Sequence, residues 1–131
     1  MDERKAEIAR LLTTNWGQGY WNPAIMTDDY AMEQHGGTMQ GVYRGEQGAR
    51  DYQEGFVDAW VEARVEIDDL FEHDAAIVTL TRLKVKGRSS GIEVEIAGAG
   101  VVRFAGDGRA ERVDAYTERD EAMLSVGLEP G

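Results

Sequence analysis

AAIVTLTRLKVKGRSSGIEVEIAGAGVVRF, residues Ala75 to Phe104, is the stretch on which the fold turns. Two long apolar runs flank Lys86-Gly87-Arg88-Ser89-Ser90-Gly91, a cluster of turn residues. With Arg88 and Ser89 as the turn centre, Arg82 lies opposite Glu95 and Lys84 opposite Glu93. Two opposite-charge cross-strand pairs on one face support that register, at about 0.2–1 kcal/mol each. The other face then carries Ile77, Thr79, Thr81, Leu83, Val94, Ile96, Gly98, Gly100, Val102 and Phe104. One face is charged toward its tip and the other nearly uncharged, so the hairpin has a defined inside.

Downstream, Gly106-Asp107-Gly108 reads as a tight turn, Ala110 to Thr117 as a last strand, and Asp120 to Leu124 as a short helix stopped by Gly127. Upstream, Val65 to Phe71 alternates apolar and acidic residues as a half-buried strand does. Ala49, Tyr52, Phe56, Ala59 and Trp60 form one stripe of a helix from Gln47 to about Val61. Tyr30 to His35 reads as a short strand ended by Gly36-Gly37, and Ala24 to Asp28 as at most one helical turn. Ile8, Leu11, Leu12 and Trp16 mark a first helix from Glu3 to about Trp16, closed by Gly17 and Gly19. The order of helix, strand, helix and four hairpin-linked strands predicts one α+β domain over residues 1–131, helices on one side of an antiparallel sheet.

Composition narrows the function classes. With 25 acidic against 14 basic residues the net charge is −11, a field that repels phosphate backbones and anionic membranes. No cysteine is present, which excludes disulfides, thiolate chemistry and Cys-based zinc sites. His35 and His73 have no ligand-like spacing, so neither a metal nor another cofactor is expected. No apolar run reaches the roughly 18 residues of a membrane span, and a cytoplasmic protein is the default expectation.

Gly41-Val-Tyr-Arg-Gly45 ahead of a helix, the long hairpin with Ser90-Gly91, and Phe104-Ala-Gly-Asp-Gly-Arg109 together resemble the SnoaL-like group of the nuclear-transport-factor-2-like superfamily. Ala115-Tyr116-Thr-Glu-Arg119, followed by Glu121-Ala122 and Gly127-Leu128, extends the resemblance over about Ile8 to Leu128. It implies a cone, a cystatin-like α+β roll whose curved antiparallel sheet wraps around N-terminal helices and one internal pocket, with a dimer through the convex face. The superfamily holds ketosteroid isomerases, polyketide cyclases, epoxide hydrolases, dehydratases and non-enzymatic binding modules, so the site residues must decide function.

Matched onto this chain, the isomerase pattern loses its groups: Gln34 replaces the carboxylate base, Gly100 the protonated acid and Leu12 the donor tyrosine. The epoxide hydrolase pattern lacks its acid–Arg–acid set, with Ala115 where an inward acid would stand. The cyclase pattern places Glu118 at the acid–base position, where it can equally favour the N-terminal end of the helix that follows. His35, beside two glycines, is the other acid–base candidate. Trp16, Tyr20, Trp21, Tyr30, Tyr52, Phe56 and Trp60 either fill the core or wall a site for a small hydrophobic molecule. Tyr30 and Gln34 are then orienting groups. Met32, Thr79, Thr81, Val102, Phe104, Val113 and Ala115 complete the expected lining, and Gly98 and Gly100 either widen its floor or bend the sheet. Two functions stay open: an acid–base enzyme, or a non-catalytic ligand-binding or dimerisation module. Outward Val78, Leu80, Ala97, Ala99 and Val101 form a mostly apolar patch, and a homodimer through this face is expected.

Overall fold

The computed structural model describes residues 2–129. Helix α1 (Glu3–Thr14) starts where the Asp2 carboxylate accepts from the backbone N–H groups of Arg4 and Lys5. Ala6, Ile8, Ala9, Leu12 and Thr13 form its buried stripe, and Leu11 faces outward. A separate 3-10 turn, Trp16–Gln18, then carries Trp16 under the sheet.

Strand β1 runs Met26–His35, longer than expected, because Met26 already pairs with Ala110. The helical turn expected over Ala24 to Asp28 is therefore mostly strand. Strand β2 (Gly41–Arg44) pairs antiparallel with β1; four residues without a buried face left no periodic signal. Helix α2 (Gly45–Ala59) buries Gly48, Tyr52 and Phe56. Trp60 and Val61, expected in that helix, instead open β3 (Trp60–His73). Strands β4 (Ala76–Gly87), β5 (Glu93–Phe104) and β6 (Ala110–Tyr116) follow, then helix α3 (Arg119–Ser125).

The strand order is β2-β1-β6-β5-β4-β3, and every ladder is antiparallel except β1 with β6. Irregular register at Met26–Ala31, Ile67–Asp69 and Arg103–Phe104 bends the sheet. Helices α1 and α2 lie against one face, here called the inner face, over Met26, Tyr30, Met32, Ile77, Val102 and Val113.

The hairpin register differs from the expected one by two residues. Lys84 faces Glu95 and Lys86 faces Glu93, while Arg82 lies opposite Ala97 and reaches Glu95 diagonally at 3.3 Å. Arg88 is the cause, for it belongs to the end of α2 and not to the turn centre. Its backbone N–H donates to Ala59 O, and its guanidinium donates to Val57 O at 2.8 Å and Trp60 O at 3.4 Å. A two-residue shift preserves side-chain parity, so every residue keeps its expected face.

The outer face departs further from expectation. Val78, Ala99 and Val101 are fully buried beneath Ala122 and Val126 of the C-terminal segment. The patch expected to require a second chain is thus covered largely by α3, and only Leu80 and Ala97 at its border retain exposure. Gly127, at φ +84°, closes α3: its N–H donates to Leu124 O, and that of Leu128 to Met123 O. Arg119 fastens the start of α3 across the sheet, donating to Asp68 Oδ2 at 2.8 Å, Thr81 O at 2.7 Å and Gly98 O at 3.1 Å.

Candidate functional site

Between α2, the 3-10 turn and the inner face lies a cavity of about 170 Å³, which the loop after β1 also lines. Met39, Phe56, Ala59, Trp60, Val65, Leu83 and Ile96 give it apolar walls. Gln34, Thr38, Tyr52, Thr81 and Thr117 supply its polar side-chain groups, together with the Trp16 indole. No lining residue carries a charged side chain. The Tyr52 hydroxyl donates to Gln34 Oε1 at 2.5 Å, and burial pushes its phenol well above the ordinary value, so it stays protonated.

Of the residues expected in the lining, Trp16, Gln34, Tyr52, Phe56, Trp60, Thr81, Gly98 and Ala115 border this cavity. Tyr20, Tyr30 and Met32 border a much smaller neighbouring space of about 30 Å³, enough for one water. Thr79 is packed away and shares a 3.3 Å hydrogen bond with Thr13, while Val102 and Val113 are solid core. Phe104 lies at the far end of β5, with the Lys5 ammonium 5.3 Å from its ring centre. Gly100 does not enlarge the floor: a Cβ there would lie 2.8 Å from the Trp16 ring and 2.9 Å from Thr79 Oγ1. Its missing side chain is the space the indole fills. At Gly98 a Cβ would come within 2.8 Å of Tyr116 O, so close backbone approach accounts for that glycine.

Neither acid–base candidate borders the cavity. Glu118 is the exposed residue preceding α3, and its side chain makes no capping hydrogen bond. His35 follows the alternation of β1 onto the outer face, where its ring stacks on Tyr116 at 4.4 Å and 7°. His35 Nε2 lies 2.8 Å from Asp114 Oδ1. Arg112 binds Asp114 twice, at 2.8 and 3.0 Å, and Glu33 at 2.6 Å. Burial alone would raise the Asp114 carboxyl, but hydrogen bonds from Arg112 and His35 outweigh it and hold the group below the ordinary range. Glu33, His35 and Asp114 are the described residues best placed to share a metal ion. The Arg112 guanidinium already pairs with both carboxylates, so the donor set fits an ion-pair cluster better than a cation site.

Leu83 and Ile96 had a legible signal, since both belong to the inner face of the hairpin. Thr38 and Met39 had none, because loop residues enter a wall only once the strands around them are placed; Thr117 shares the face of Ala115 by alternation and was legible in the same way.

Residues 22–113 match the SnoaL-like domain family. The chain belongs to that family, within the nuclear-transport-factor-2-like superfamily. No curated protein matches the sequence. Among solved structures, a proposed SnoaL-like polyketide cyclase from Jannaschia sp. CCS1 superposes with a TM-score of 0.70 at 16% identity, covering 98% of this chain and 94% of that one. A ketosteroid-isomerase-like-fold protein from Catenulispora acidiphila, solved with trimethylamine, gives 0.69 at 13% identity, covering 93% of both chains. The epoxide hydrolase/cyclase-like enzyme SalBIII gives 0.66 at 15%, covering 88% and 91%. At these identities the likeness concerns the fold.

Proposed function

We propose that this chain binds one small, neutral, mostly apolar molecule in the cavity beneath α2, without transforming it. The observation that carries this reading is the wall itself: hydroxyls, an amide, an indole and hydrocarbon, with no carboxylate, imidazole or amine. Acid–base chemistry requires a titrating group within hydrogen-bond reach of the substrate, and the Tyr52 phenol commits its proton to Gln34 Oε1. Glu118 is exposed beyond the wall and His35 lies on the other side of the sheet. Apolar cavities near 150 Å³ hold a molecule of benzene's size, so a cavity of about 170 Å³ suits a one- or two-ring ligand. Two proteins of similar fold crystallised with trimethylamine and with polyporic acid support a small-molecule reading.

Trp16 and Trp60 border the cavity and supply the assay. Titration with neutral one- and two-ring hydrocarbons is expected to change their fluorescence saturably, while benzoate, anionic and of similar size, leaves it unchanged. Glu118→Gln and His35→Gln are expected to bind as the native chain does. Benzoate binding as tightly as the hydrocarbons, or loss of binding in the Glu118 variant, would overturn the reading.

A further inference from the structure

Gln34 is held in one orientation from both ends of its amide. Its Nε2 donates to Gly36 O at 3.3 Å, and its Oε1 accepts from the Tyr52 hydroxyl at 2.5 Å. A backbone carbonyl oxygen only accepts, so the amide atom facing Gly36 is the nitrogen. Burial keeps the Tyr52 phenol protonated, so it meets the amide oxygen as a donor. Turning the amide over would set oxygen against oxygen at Gly36.

The orientation settles what Gln34 offers to the cavity. An amide nitrogen has two N–H groups and Gly36 takes one; among the described residues no protein acceptor is paired with the other. This nitrogen sits beside Gly37 on the cavity wall, 3.5 Å from where a Cβ of that residue would lie. Water can satisfy it while the cavity is empty. A ligand that expels the water must replace that partner, since an unpaired buried N–H is costly. A carbonyl oxygen with one lone pair free is tolerated more readily, so the remaining lone pair of Oε1 makes the weaker demand.

We propose that the natural ligand carries a carbonyl-type oxygen on a neutral one- or two-ring skeleton, and that Gln34 Nε2 donates to it. Tyr52 is the positioning residue that keeps the amide turned this way. The inference rests on the binding function proposed above and adds the ligand's chemical class.

Indane and 1-indanone share a bicyclic skeleton and differ by one carbonyl, so they report what the carbonyl contributes, and the Gln34 variant reports which donor meets it. On the full chain, 1-indanone is expected to bind about three- to tenfold more tightly, the worth of one net hydrogen bond. Gln34→Met should bring the ratio of the two affinities to about one, in a variant whose circular dichroism and melting curve report that it folds. Equal affinities on the unaltered chain would overturn the ligand class and leave the binding function standing, whether or not the variant folds. Binding of neither compound would overturn both. A preference that survives in a folded Gln34→Met protein would overturn the role of Gln34.

Discussion

Gly100 was expected to shape a site and serves packing, while Asp114, which no sequence pattern singled out, anchors an ion-pair cluster. The Trp16 ring and the Thr79 hydroxyl already occupy the space beside Gly100. Gly100→Ala is therefore expected to destabilise the fold by about 1–3 kcal/mol, as overpacking does, measured by urea denaturation. Asp114 accepts from both Arg112 and His35, so Asp114→Asn should cost about 1–3 kcal/mol at neutral pH. Its folded carboxyl titrates below the ordinary value of 3.8, so its stabilisation is present above about pH 4 and is lost as pH falls through the folded value. The native chain should lose stability below about pH 4 with a steeper slope than the Asn variant. None of this was legible from residue types. Glu33 and His35 lie on β1 and Arg112 and Asp114 on β6, and only the parallel pairing of these two sequence-distant strands brings the pairs together.

Among the elements, those with an unbroken apolar period were legible and those made by a partner were not. The stripe Tyr52–Phe56 located α2, and the alternation of β4 and β5 located the inside of the sheet. The four residues of β2 and the first half of β1 become strands only because neighbours complete their ladders. The outer apolar patch was read correctly as surface needing cover, but the seven residues of α3 held too few apolar positions to identify them as that cover. Ala122 is fully buried against this patch. Ala122→Asp should detach the helix and cost at least about 2 kcal/mol, by burying an unpaired charge or exposing the patch. Rising light scattering and dye binding to the bared Val78, Ala99 and Val101 would report the detachment, and an unchanged melting temperature would count against it.

For the whole molecule, the separation of charge from cavity has a measurable result. The chain carries a net charge of −11, yet the cavity wall contains no ionised side chain. Affinity for a neutral ring compound should change by less than about twofold between about pH 5 and pH 9, because no carboxylate, imidazole or amine of the wall titrates there. A bell-shaped or sigmoidal dependence would point to a group outside the wall reaching the ligand. The position of β6 has a consequence of another kind. It lies in the middle of the sheet, between β1 and β5, although it follows the other five strands in sequence order. Until residues 110–116 are in place, the β1–β2 pair has no edge to join, and the β3–β5 meander ends in an open strand. The earlier elements must wait for β6, so folding is governed by long-range closure and should be slow for a domain of this size. During synthesis on the ribosome the exposed edges of β1 and β5 persist until that late strand arrives, which makes them the sites most open to chaperone capture or mispairing.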